Sequence, residues 1–252
     1  MKKAVISTNK LSKTFTLGAI EQPVLRSLGI EIFEGDFTVI MGSSGAGKST
    51  LLYALSGMDK PSAGEIAFDG RVITGMSNDQ LAIFRRKNCG FVFQNNLLLD
   101  NMSIMDNILT CGLLVSNNKR QLTQRAEDIF SQVGLDENIW SKFPTQVSGG
   151  EAQRAGIVRA LINQPSVIFA DEPTGALNSA SGKAVLDVLT DVNNTGQSII
   201  MVTHDFKSAL RGNRIIYLKD GIVCGDCVLG SYTPENRSRQ ERLQAFLEEM
   251  GW

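Results

Sequence analysis

Apolar and polar positions divide the chain into short strands and longer helices. Leu28 to Phe33 alternates, the period of a half-buried strand. Glu34-Gly35-Asp36 turns the chain, and Phe37 to Met41 is an unbroken apolar run, as in a strand covered on both faces. A glycine-rich loop follows, then a helical stretch over 48–55. Gly64 to Ile73 reads as a hairpin turning at Asp69-Gly70. Ser77-Asn78-Asp79-Gln80 has the form of a capping box opening a helix that carries Leu81 and Phe84. Gly90 to Phe93 is a further buried strand. From about Asn95 to Asn163 helical periodicity dominates, and strands return at Val167–Ala170, Ser198–Val202 and Arg214–Leu218. Strands alternating with helices predict an α/β fold with a mainly parallel sheet and helices on both faces. Near the end, Leu243, Phe246, Leu247 and Met250 share one helical face, which predicts a C-terminal helix docked on its own core, with a dimer or partner contact as the other reading.

The loop between the Phe37–Met41 strand and its helix is Gly42-Ser43-Ser44-Gly45-Ala46-Gly47-Lys48-Ser49, followed by Thr50. It fits G-x-x-x-x-G-K-[ST] in full, with strand before and helix after. Glycines let backbone N–H groups turn inward around phosphates, and the helix N-terminus adds positive potential. Lys48 is expected to reach the β- and γ-phosphates and the Ser49 hydroxyl to ligate Mg²⁺. The strand Val167-Ile168-Phe169-Ala170 ends in Asp171-Glu172. Asp171 is expected to hold the ion through water, and Glu172 to polarise an attacking water. His204, the only histidine, follows the strand Ile199–Val202 after Thr203, where it is placed to contact the γ-phosphate or the water. A lone histidine rules out a multi-histidine metal site.

Composition removes other classes. With 252 residues and 42% hydrophobic positions, the chain can bury a substantial core. A net charge of −1 lacks the positive excess of a general nucleic-acid binder. The four cysteines, 89, 111, 224 and 227, form no disulfide framework and suit a reducing compartment. Cys224-Gly225-Asp226-Cys227 is one C-x-x-C without a second, too few ligands for zinc. Its apolar flanks suggest a surface hairpin. The start reads without a signal peptide, and no apolar run approaches the roughly 20 residues that span a bilayer. A membrane role is therefore expected to come through a partner.

A phosphate loop alone does not separate kinases, GTPases and motors. Val147-Ser148-Gly149-Gly150-Glu151-Ala152-Gln153-Arg154 does, because it resembles the signature of ABC transporter ATPases, usually written LSGGQ. Val147 and Glu151 depart from that consensus. The resemblance covers almost the whole chain. It implies a P-loop NTPase of the ABC ATPase fold, one nucleotide-binding domain over 1–252. Residues 1–93 and 164–230 form the ATP-binding core with a small antiparallel β portion. Residues 94–163 form an inserted helical lobe, and 234–252 a C-terminal helix. It further implies that Ser148, Gly149, Gly150 and Glu151 complete the ATP site of the opposite subunit in a head-to-tail homodimer. Gln94 would be the Q-loop glutamine sensing Mg²⁺ and water, beside Glu172 and His204 as catalytic residues. Phe15 matches the aromatic that stacks on adenine, with a core aromatic as the other reading. Asn178 stands where the family usually has Asp, keeping the shape and losing the charge.

Phe84-Arg85-Arg86-Lys87, Gly90–Gln94 and Asp171–Leu177 resemble ATPases of macrolide export and lipoprotein release, closest to bacterial bacitracin and lantibiotic resistance. An ATP- and Mg²⁺-dependent ATPase on the cytoplasmic face of the membrane, coupled to a separate permease, is implied. Arg85-Arg86-Lys87 is a solvated helix face or a contact to that permease. A regulatory ABC ATPase that signals without transport is the alternative. A DNA-repair relative would carry a long coiled coil, a translation factor two cassettes, and a GTPase a complete N-K-x-D where Asn118-Lys119-Arg120-Gln121 stands.

Overall fold

The computed structural model describes residues 2–18 and 20–252. The chain divides into two compact units, Met1–Leu81 with Gly196–Trp252, and Ala82–Thr195. Beside the segment 94–163, the second unit takes in two flanking strands, the helix over Ser179–Asn194 and most of the helix over Asn78–Asn88.

In the first unit, β1 (Ala4–Leu17) pairs antiparallel with β2 (Ile20–Leu28). β3 (Glu31–Phe33) and β5 (Ala63–Phe68) also pair with β1, and β6 (Arg71–Val72) closes the hairpin on β5. That hairpin turns at Asp69 (φ 48°) and Gly70 (φ 75°), as expected of Asp-Gly. The strand expected over 28–33 is a correction. Its burial does alternate, with Leu28, Ile30 and Ile32 inside, but its pairing breaks. Thr8 Oγ1 donates to Leu28 O and accepts from Ile30 N, and Thr8 N donates to Ile30 O, so these groups leave the regular ladder.

The same unit holds a second sheet. β4 (Phe37–Met41) lies parallel to β9 (Ser198–Val202) on one side and to β10 (Arg214–Lys219) on the other. All five residues of β4 and of β9 are buried. β11 (Ile222–Val228) pairs antiparallel with β10. The hairpin expected at the C-x-x-C is thus displaced. The chain turns at Asp220-Gly221, and the cysteines lie within β11, Cys224 exposed and Cys227 buried. Helix α1 (Lys48–Leu55) packs on β9 and β2. α2 (Asn78–Asn88) begins with the expected box: Ser77 N donates to Gln80 Oε1 at 2.8 Å, and Gln80 N to Ser77 Oγ at 3.2 Å. Helix α8 (Phe206–Ala209) follows β9.

The C-terminal helix α9 (Arg237–Glu249) docks by the expected face. Leu243 and Leu247 are fully buried, and Phe246 and Met250 close over Gly225 of β11. The buried Arg239 guanidinium donates to the carbonyls of Leu210, Gly212, Leu229, Gly230 and Ser231, tying the helix to two loops.

In the second unit, β7 (Cys89–Phe93) runs parallel to β8 (Val167–Asp171), with Phe93 opposite Asp171. Helices α3 (Ile104–Leu113), α4 (Lys119–Gln132) and α5 (Glu137–Trp140) precede α6 (Gly149–Leu161), and α7 (Ser179–Asn194) follows β8. α6 is the hub, packing on β7, α3, α4 and α7. Among the described residues no helix is long and apolar enough to cross a membrane.

Candidate functional site

Each cluster of expected site residues forms at the C-terminal end of a parallel strand or the N-terminus of a helix. In the first unit the Gly42–Ser49 loop leaves β4 and enters α1. Gly42 has φ 152°, and a Cβ built there would lie 2.0 Å from Leu218 O of β10. Only glycine fits against that backbone. Gly47 (φ 97°) is the N-cap of α1, which has no side-chain cap and no acidic residue in its first turn. The N–H groups of that turn and the positive end of the helix dipole point back into the loop, suiting an anion. The Lys48 side chain folds back into the loop, its residue only 8% exposed, and Nζ donates to Gly42 O and Ser43 O at 2.9 Å each. A glycine cradle around a buried ammonium fits a triphosphate.

His204 stands beside this loop in the strand order, because β9 and β4 are adjacent and parallel, with Val202 opposite Ile40. It is exposed, in the bend between β9 and α8. The bend is fixed on both sides. Thr203 N donates to Ile40 O, Asp205 N donates to Thr203 Oγ1, and Asp205 Oδ2 caps α8 by accepting from Ser208 N at 2.7 Å. Phe15 lies on β1 and is 45% exposed, which sets aside the core reading.

In the second unit, Asp171 ends β8 and Glu172 follows with φ 46°. A left-handed conformation at a non-glycine residue costs on the order of 1 kcal/mol. It ends the strand abruptly, and Gly175 N donates to Glu172 O in the turn that follows. Gln94 is exposed just after β7 and reaches that turn: a Cβ built on Gly175 would lie 2.8 Å from Gln94 Nε2. The structure thus brings Gln94 to the segment after the carboxylate pair. Two residues given no site role from the sequence, Gln153 within the signature segment and Arg159 beyond it, hold the Gln94 loop. Gln153 Nε2 donates to Phe93 O at 2.7 Å, and Arg159 donates to Asn96 O and Leu97 O at 2.6 Å each. Burial pulls the Arg159 guanidinium below its usual range. The only signal for either was a polar side chain within the apolar periodicity of α6.

Ser148 is the N-cap of α6, and Glu151 completes a capping box. Ser148 Oγ accepts from Glu151 N, and Glu151 Oε2 accepts from Ser148 N at 2.7 Å. Hydrogen bonds from the Ser148 hydroxyl, then its backbone N–H, hold the Glu151 carboxyl below the usual carboxylate range. Ser148 and Gly149 are exposed. Asn178 is the N-cap of α7, accepting from Ser181 N at 2.9 Å. The two caps are neighbours: a Cβ on Gly150 would lie 3.0 Å from Ser181 Oγ, so α6 and α7 start from one corner.

A family model described as ABC transporter matches residues 25–175. The chain belongs to the ABC transporter family. It is an ATPase cassette with the P-loop NTPase fold of that family. Its sequence is 38% identical over 226 residues to the macrolide export ATP-binding/permease protein MacB of Pectobacterium atrosepticum, covering 90% of this chain and 35% of that protein. It is 41% identical over 219 residues to an uncharacterized ABC transporter ATP-binding protein of Methanocaldococcus jannaschii, covering 87% and 97%. The cassette therefore spans about a third of the MacB relative and nearly all of the archaeal one. Among solved structures, a dimeric bacterial ABC transporter cassette superposes with TM-score 0.81 at 36% identity, over 90% of this chain and all of that one. A dimeric post-hydrolysis cassette bound to ADP and phosphate also gives TM-score 0.81, at 35% identity over 90% and 100%.

Proposed function

We propose that this cassette is the ATP-hydrolysing motor of an exporter, working as a head-to-tail dimer on the cytoplasmic face of the membrane against an integral membrane permease. The observation that carries the reading is the exposed, capped tip at Ser148-Gly149, in a chain that also carries a glycine cradle around Lys48. The similar cassettes solved as dimers support the pairing.

In this reading Gly42–Thr50 bind the triphosphate, their amides and the Lys48 ammonium meeting the β- and γ-oxygens. Ser49, Gln94 and, through water, Asp171 would hold Mg²⁺, which would supply charge neutralisation to the phosphates. Glu172 accepts a proton from the attacking water, and His204 orients the γ-phosphate and that water. Phe15 stacks on adenine. Ser148–Glu151 of the other subunit close over the same nucleotide. The helical lobe at 94–163 carries the resulting motion to the permease through the Gln94 loop. Relatives named for macrolide export and for syringafactin export support an export role, and antimicrobial peptides are the cargo class we favour.

The test uses Glu172→Gln. It is expected to bind ATP, to lose about 10² to 10⁴ in turnover, and to accumulate as a dimer with ATP in size-exclusion chromatography. Ser148→Arg added to it is expected to abolish that dimer. ATP-driven pairing and hydrolysis that survive Ser148→Arg would overturn the reading.

A further inference from the structure

The Lys13 side chain is taken up by neither the fold core nor the phosphate cradle. Its Nζ donates to Asp59 Oδ1 and to Lys60 O at 2.7 Å each. It also lies 4.8 Å from the centroid of the Phe15 ring. Residues two apart on a strand share a face, which sets the two side chains side by side. Lys13 sits at a break in register between β1 and β2, where the Leu11–Leu28 and Lys13–Leu25 pairings do not continue regularly. Such irregularities re-aim a side chain. The Lys13 side chain is 12% exposed and its Asp59 partner 37%, so the ammonium is held in place, while Phe15 remains open to solvent.

The partners of Lys13 belong to the segment that follows α1, the helix of the phosphate loop. More bonds tie the same two segments together: Ser62 N donates to Ser12 O, Thr14 N donates to Ser62 Oγ, and Ser62 Oγ donates to Thr14 O. Strand β1 is therefore fastened at residues 12–14 to the far end of the helix that begins at Lys48.

We propose that Lys13, anchored by Asp59 and the Lys60 carbonyl, is a positioning residue for the nucleotide base: its ammonium lies against the Phe15 ring, fixes the ring's orientation relative to the phosphate helix, and polarises it for stacking on a purine. A cation over an aromatic face is attracted by the ring quadrupole and withdraws π-density, which favours an electron-rich base on the other face. The inference rests on the reading of Phe15 as the base-stacking ring.

The experiment compares ATP with inorganic tripolyphosphate, which has the phosphates and no base, in equilibrium binding to the full chain. Lys13→Met is expected to weaken ATP about two- to five-fold and leave tripolyphosphate unchanged. Lys13→Arg, which keeps the cation, is expected to restore ATP binding. In a Phe15→Ala background Lys13→Met should have no further effect on ATP. Asp59→Asn, which frees the lysine from its anchor, should shift ATP in the same direction if Lys13→Met does not fold. Equal weakening of both ligands, no weakening of either, or a further loss in the Phe15→Ala background each overturns the inference. If Phe15→Ala weakens ATP while Lys13→Met does not, the inference alone fails. If Phe15→Ala leaves ATP binding unchanged, the stacking role fails and the inference with it.

Discussion

Gly175→Ala separates a geometric effect on the candidate catalytic groups from an effect on the fold. Gly175 is exposed, and its φ lies outside the left-handed region, so alanine meets no backbone strain. The new methyl group would lie 2.8 Å from Gln94 Nε2 and 3.1 Å from Gln94 Cδ. Those atoms are the far end of a flexible side chain, so Gln94 moves and the backbone stays. Restoring an ordinary contact of 3.4 Å shifts the amide by about 0.6 Å.

A misplacement of about 1 Å in a group that positions reactants costs on the order of 100-fold. The smaller shift therefore predicts a fall in kcat on the order of ten-fold, or about 1.4 kcal/mol in the barrier. KM for ATP is expected to hold, because the phosphate loop and Phe15 are untouched, and Tm is expected to stay within about 1 °C. A steady-state ATPase assay with a thermal melt of the same preparation measures all three. An unchanged kcat would refute the reasoning, since Gln94 would then tolerate displacement. A fall in kcat with an equal loss of stability would also refute it, since the turn itself would have moved.

Leu243→Ala is expected to cost about 2–5 kcal/mol, because Leu243 is fully buried on the docked face of α9, lowering Tm by roughly 4–20 °C; a Tm unchanged within a degree would show α9 undocked in solution. Of the four thiols, Cys224 is expected to react fastest with a disulfide reagent in the native protein, since Cys227 is buried and burial pushes the Cys89 and Cys111 thiols up. A fast phase that persists in Cys224→Ser would contradict this. The Glu151 carboxyl is held below its ordinary 4.5 in the fold, so its contribution to stability is full above that value and lost as pH falls through the folded-state pKa. The Tm difference between the native chain and Glu151→Gln should accordingly shrink below about pH 4.5, and a pH-independent difference would exclude the capping carboxylate as its source.

The elements most legible in the sequence were those governed by local rules. The run Phe37–Met41, the helix over 48–55, the Asp-Gly turn and the Ser77 box each depend on residues within a few positions of one another, and each stands where the pattern puts it. Strands β1 and β2 depend on distant partners. β1 pairs with three strands along its length, Lys10 takes φ 50°, and the register slips between Asn9 and Ser12. No single alternation survives such a change of partners, so polar stretches such as Ser7-Thr8-Asn9 carried no strand signal. The same holds for the groups that position the candidate site. Lys13 and Asp59, or Gln153 and Phe93, meet through tertiary packing and have no spacing to reveal them.

Two of the three departures from the family consensus, those at 151 and 178, have one physical account. Glu for Gln at 151 and Asn for Asp at 178 both fall at helix caps, and both keep the hydrogen bond the cap requires: Glu151 accepts from Ser148 N, and Asn178 accepts from Ser181 N. Cap chemistry tolerates either member of each pair, so neither change disturbs the start of its helix. Charge is not kept position by position. Glu151 adds one negative charge and Asn178 removes one, and the close approach of Gly150 to Ser181 places both at the same corner of the second unit. The corner keeps the net charge of the consensus while moving the carboxylate from the start of α7 to the start of α6. In the proposed dimer Glu151 belongs to the tip that meets the neighbouring subunit's nucleotide. Its two hydrogen bonds to Ser148 turn the carboxylate back onto its own helix end, where the dipole offsets its charge, and the exposed Ser148 and Gly149 are left to meet a phosphate.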